Sequence, residues 1–186
     1  IQIKFRLKII LTSLSNAILG VISAFIFGKW IINISFAQKR IMRFYHVYTK
    51  GLEDRLIFRT TDDFVAGMNY VAIVHFKVRV KLLAFVLMSN HVHFAIGGSE
   101  EDVWKFINLY KRLISVYITN KYHDAAFLRR IVTNCDEVSI KDDGLKRLIA
   151  YILDNPVNAG VNRVAFAYHW GSATCYFSNK PDKATS

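Results

Sequence analysis

Beyond residue 41 the apolar positions alternate between two periods, one suited to strands and one to helices. Phe44-Tyr45-His46-Val47-Tyr48 is a β-prone aromatic run that ends at Lys50-Gly51, and Leu56-Ile57-Phe58 reads as a short strand or turn segment. Thr61-Asp62-Asp63 predicts a helix start, with a hydroxyl cap and acids in the first turn. Its buried side would carry Phe64, Val65, Met68, Val71, Ala72 and His75. Residues 77–81 alternate into a strand over 82–88. Ser89-Asn90 supplies a turn, and a second strand over 91–96 stops at Gly97-Gly98. Ser99 with Asp102 resembles a capping box, and Val103, Phe106, Ile107, Tyr110, Leu113, Ile114, Tyr117 and Ile118 recur at helical spacing after it. Residues 123–141 read as irregular. Asp142-Asp143 should cap a last helix that runs to about Asp154, where Asn155-Pro156 stops it. This order of elements predicts an α+β fold in which helices cover one face of an antiparallel sheet.

The first 41 residues differ from the rest. Ile9 to Gly28 carries no charge, and Lys4, Arg6, Lys8 and Lys29 flank it. The stretch is about as long as a membrane span, and its basic flank suits a cytoplasmic N-terminus. Thr12, Ser13, Ser15, Asn16 and Ser23 weaken insertion, and aromatic, charge-balanced sequence begins at Met42. We therefore expect residues 1–41 to be a hydrophobic extension outside the domain, 42–180 to be the domain and 181–186 a tail. A small membrane-anchored protein is the competing reading.

The chain has 186 residues and a net charge of +11. From Met42 onward 19 basic residues face 14 acidic ones, which suits an anionic partner without demanding one. Cys135 and Cys175 have no CxxC spacing, so neither a disulfide framework nor a zinc ribbon is indicated, and a reducing, cytoplasmic setting is the default.

The chemistry concentrates in two places. His91-Val92-His93 puts two imidazoles on one face of a strand, where they can hold one metal ion or one phosphate. A satisfied structural pair at a sheet end is the plainer alternative. On the last helix Leu145, Leu148, Ile149 and Ile152 form the apolar stripe, and Gly144, Arg147, Tyr151 and Asn155 fall beside it at spacings of three and four. Spacing alone makes Tyr151 a packing residue.

Four phrases in order change that weighting. Tyr45-His46-Val47-Tyr48-Thr49-Lys50-Gly51, Leu87-Met88-Ser89-Asn90-His91-Val92-His93, Tyr151 through Val161 with its central Asn155-Pro156-Val157-Asn158-Ala159-Gly160, and Tyr168-His169-Trp170-Gly171-Ser172 together resemble the HUH-type single-tyrosine transposases. The nearest branch is the transposases associated with repetitive extragenic palindromes, and the likeness runs from about Phe44 to Phe177. Ser89 stands where relatives usually have proline. The resemblance implies a ferredoxin-like antiparallel sheet and a homodimer that can swap its tyrosine helix between subunits. It also implies a metal-dependent enzyme that cleaves and rejoins single-stranded or hairpin DNA. On that reading His91 and His93 hold Mg²⁺ or Mn²⁺ with help from Asn155. Tyr151 attacks phosphorus to give a 5′-phosphotyrosine, and no nucleotide cofactor is needed.

Lys50, Arg79, Lys81, Lys111, Arg112, Arg129, Arg130 and Arg147 are the candidate phosphate contacts, and Tyr45, Tyr48 and Trp170 are candidate stacking platforms for bases. Besides the enzyme and the membrane-anchored protein, a catalytically inactive descendant that still binds DNA hairpins remains open.

Overall fold

The computed structural model describes residues 42–50, 56–123 and 131–177. The expectations for residues 1–41, for Arg129 and Arg130 and for the tail lie outside the described residues. Among the described residues, no helix is long and apolar enough to cross a membrane.

The chain runs β1 (Arg43–Thr49), α1 (Thr61–Lys77), β2 (Lys81–Leu87), β3 (Val92–Gly98), α2 (Glu100–Tyr122), β4 (Thr133–Val138) and α3 (Gly144–Asn158), then the short α4 (Ala173–Phe177). The four strands form one antiparallel sheet in the order β2-β3-β1-β4, which is the ferredoxin-like βαββαβ arrangement that the resemblance implied. Strand β4 corrects the irregular reading of 123–141. Thr133-Asn134-Cys135-Asp136-Glu137-Val138 has no apolar alternation, and its structure comes from six register pairs with β1.

Strict alternation sorts the sheet into two faces. Tyr45 and Val47 of β1 and Val92, Phe94 and Ile96 of β3 point into a core shared with Val71, Val74, Phe106, Ile107, Tyr110 and Ile114 of α1 and α2. The opposite face carries Ala84, Val86 and Ala95, packed against Leu148, Ile152 and Leu153 of α3. Thus two long helices cover one face and α3 covers part of the other. On α1, Val65, Ala72 and His75 prove exposed, and Asp63, Gly67, Val71 and Val74 form the buried stripe.

Asp63 is fully buried and caps α1 through its carboxylate. It accepts from the backbone N–H groups of Arg59 (2.8 Å) and Thr60 (2.9 Å), the phenols of Tyr117 and Tyr122, and Lys121 Nζ (2.7 Å). These donors hold its pKa well below the ordinary carboxylate value against the opposing effect of burial. The cap predicted for the last helix differs as well. Asp143 adopts a left-handed conformation at φ 58° and makes no side-chain cap; its carboxylate pairs with Lys146.

The Tyr168–Ser172 phrase is a strap along the outer edge of β2. Leu87 N–H donates to Trp170 O (2.8 Å), Ser172 N–H to Phe85 O (2.9 Å), and the Tyr168 phenol to Leu87 O (2.7 Å). A Cβ at Gly171 would lie 2.8 Å from Phe85 O, so only glycine lets the strap approach this closely.

Candidate active site

β1 and β3 bring their polar side chains to the α3 face. Phe44, His46 and Tyr48 alternate with the core residues of β1, and His91, His93 and Ala95 alternate with those of β3. Antiparallel pairing sets Tyr48 opposite His93 and His46 opposite Ala95, so His46 is the diagonal neighbour of His93. The register is fixed next to the site by Thr49, whose buried Oγ1 accepts from Val92 N–H at 3.0 Å.

α3 then lays Tyr151 over this patch. The Tyr151 ring meets His93 edge-on at 5.6 Å and His46 at 5.8 Å between centroids, and 47% of its surface stays open to solvent. His91 and His93 are 4.9 Å apart and perpendicular. Tyr48 stacks on His46 at 4.5 Å and on His93 at 5.7 Å. The tyrosine and both histidines therefore meet within one chain, without exchange of the helix.

Asn155 also reaches the site, because α3 does not stop before Pro156. Proline lacks the N–H that a helix interior needs, but only the last turn follows it here. The carbonyls there are satisfied locally: Asn155 O accepts from Ala159 N–H at 3.0 Å, and Pro156 O accepts from Val161 N–H at 2.9 Å. Both residues are buried, so packing holds Asn155 in helical geometry against the local preference. Its side chain lies close enough to His91 to oppose the lowering of that imidazole's pKa.

Electrostatics keep the imidazoles neutral. Burial lowers the pKa of His91, partly opposed by the nearby Asn155 side chain. Burial, then the nearby His91 and His46, brings His93 down to about 3. Burial also lowers His46, with the Asp136 carboxylate acting the other way. Neutral rings offer lone pairs at neutral pH. The Asn90 Oδ1 lies 2.6 Å from His91 Nδ1, and as an acceptor it fixes the proton on Nδ1 and leaves Nε2 for a ligand.

This donor set fits a catalytic rather than a structural cation. Among the described residues, no three His, Cys, Asp or Glu side chains are arranged to hold a metal ion. Two imidazole nitrogens and the Asn155 amide would hold one only with positions left for ligand oxygens, as a working ion requires.

The candidate phosphate contacts divide by location. Arg147 lies exposed on α3, one turn before Tyr151. Lys50, Arg79 and Lys81 are exposed at strand ends and in the α1–β2 connection. Lys111 is a structural cation instead: its Nζ donates to Ile131 O (2.9 Å) and Thr133 Oγ1 (2.8 Å), tying α2 to the start of β4. Arg112 belongs to α2, on the far side of the sheet, in a cleft with Trp104, Lys105 and Asn108. Of the proposed stacking aromatics, Tyr45 is buried in the core at 3% exposure, and Trp170 stacks on Phe64 at 5.1 Å. Tyr48 alone lies at the site. In the sequence, His46 and Asn90 stood out as a strand residue, a turn residue and members of two matching phrases, with no role at the site assigned to either. The period-two match of His46 with Tyr48 was the available sign of a shared polar face.

No protein-family model matches the sequence, and no curated protein matches it significantly. Among solved structures, similarity is found to a REP-associated tyrosine transposase bound to a REP hairpin. It has 16% identity and a TM-score of 0.53, covering 72% of this chain and 77% of that one. A candidate transposase from Deinococcus radiodurans R1 also matches, at 11% identity and a TM-score of 0.41, covering 59% of this chain and 87% of that one. The strand order, the helix layers and the first of these likenesses agree: the domain has a REP-associated tyrosine transposase-like fold.

Proposed function

We propose that this protein is a DNA strand transferase that cleaves and rejoins single-stranded DNA, with Tyr151 as nucleophile. One observation carries the reading: the half-exposed Tyr151 ring of α3 stands edge-on against His93 and His46, and His93 in turn stands against His91. His91, His93 and Asn155 would hold Mg²⁺ or Mn²⁺, which when bound supplies charge to polarise a phosphate. Tyr151 Oη would attack phosphorus in line, forming the phosphotyrosine bond as the P–O3′ bond breaks and the 3′-oxygen leaves with a proton. The 5′-phosphate stays on the enzyme, so its bond energy is kept for rejoining. Phenols ionise near pH 10, so the nucleophile needs help at neutral pH. Arg147, one turn away, would hold a phosphate oxygen. The REP hairpin in the solved relative supports hairpin DNA as the substrate class. Homodimer formation belongs to the same proposal and is read by sedimentation.

The test incubates the protein with end-labelled hairpin DNA carrying a single-stranded flank, plus Mn²⁺, and resolves the products on a denaturing gel. A covalent adduct is expected, and it should be absent in Tyr151→Phe and in His91→Ala. An adduct that persists in Tyr151→Phe removes this tyrosine from the role. Salt-sensitive hairpin binding with no adduct in the wild type would instead favour a non-catalytic descendant.

A further inference from the structure

We propose that His46 is a positioning residue, which accepts the Nδ1 proton of His93 and so leaves the His93 Nε2 lone pair free for a cation. The inference rests on the reading of His91 and His93 as ligands given above. It starts from one contact: His46 Nε2 lies 3.0 Å from His93 Nδ1. A hydrogen bond between two imidazole nitrogens needs one of them to donate and the other to accept. If His46 were the donor, His93 would have to carry its own proton on Nε2. It would then have no lone pair left for a ligand. If His93 is the donor, it matches His91, whose Nδ1 proton is held by Asn90 Oδ1.

One feature favours the second arrangement. The strand order puts β3 and β4 on opposite sides of β1, and Asp136 of β4 pairs directly with His46. Its carboxylate therefore flanks the imidazole from the side away from His93. Its field favours a proton on the His46 nitrogen that does not face His93. Tyr48, stacked on both rings, holds their planes within 26° of its own. A ligand histidine commonly donates its second N–H to an acceptor behind it, which orients the ring and raises its basicity. Here the acceptor is an imidazole with a carboxylate beyond it.

The tautomer can be read without any metal. The full chain, labelled with ¹⁵N-histidine and free of metal, is examined at pH 7.5 by long-range ¹H–¹⁵N correlation, and Mn²⁺ binding is measured separately by calorimetry. In the wild type His93 should carry its proton on Nδ1. In His46→Phe the proton should move to Nε2, and Mn²⁺ affinity should fall tenfold or more, within the range usual for loss of such a partner. His46→Gln, whose amide oxygen accepts a hydrogen bond, should recover part of both and guards against a folding defect in the Phe variant. A wild-type His93 protonated on Nε2, or an unchanged Mn²⁺ affinity in His46→Phe, overturns the role. Equal Mn²⁺ binding by wild type and His91→Ala refutes the cation site itself. The metal-free spectrum separates that failure from a failure of His46.

Discussion

Acidification should unfold this domain through His93, and the size of the effect follows from its environment. The ring is 5% exposed, and its pKa falls from 6.5 to about 3 in the folded protein. The unfolded chain therefore takes up the proton first. The stability contributed is complete above about pH 6.5 and is lost as pH falls through the window down to about 3. Between pH 6.5 and 4.5 a single site with these two values costs about 2 kcal/mol. His91 and His46, also lowered by burial, act in the same direction. Asp63 does not confuse this window, because its carboxyl starts to bind protons in the unfolded chain only near its ordinary value of 3.8. Urea unfolding at pH 6.5, 5.5 and 4.5 measures the slope in the wild type and in His93→Gln. The variant should lose about 2 kcal/mol less over that range. Equal slopes would mean that His93 is solvated or already charged in the native state, and the account of a neutral imidazole cluster would fail.

Other outcomes follow from single contacts. Tyr168→Phe removes the 2.7 Å donor to Leu87 O and should cost about 1–2 kcal/mol in urea unfolding. Gly171→Ala forces a methyl against Phe85 O, so the strap should lift and hydrogen exchange at the Leu87 amide should accelerate. Arg147→Ala should lower the salt dependence of hairpin binding by about one phosphate contact, whereas Lys111→Met should lower stability and leave that slope unchanged. Asn90→Ala, which frees the His91 Nδ1 proton, should weaken Mn²⁺ binding about tenfold, as titration calorimetry would show.

The parts of the fold visible in the sequence were those in which local pattern and tertiary role coincide. The α2 stripe from Val103 to Ile118 and the Ser99–Asp102 cap recur in the structure, where Asp102 N–H donates to Ser99 Oγ at 3.2 Å. Strand β4 was hidden because Asn134, Asp136 and Glu137 carry no strand preference; pairing with β1 alone makes it a strand. The end of α3 was misread because the effect of Pro156 is local, whereas burial of Asn155 and Pro156 is not. The histidine pair and Tyr151 could be nominated from spacing and resemblance. The part played by His46 could not, since it depends on which residues of β1 and β3 face each other. Lys111 and Trp170 looked like surface groups because composition says nothing of their partners.

The strap has a consequence for assembly. With the β2 border closed by Trp170 and Ser172, the sheet can grow by strand addition only along β4, among the described residues. That border carries the exposed Asp136 and Glu137, and Glu137 is paired with Arg43 of β1 at 3.4 Å. A dimer built on a continuous sheet would therefore join two β4 strands, with the Asp136 carboxylates opposing the contact.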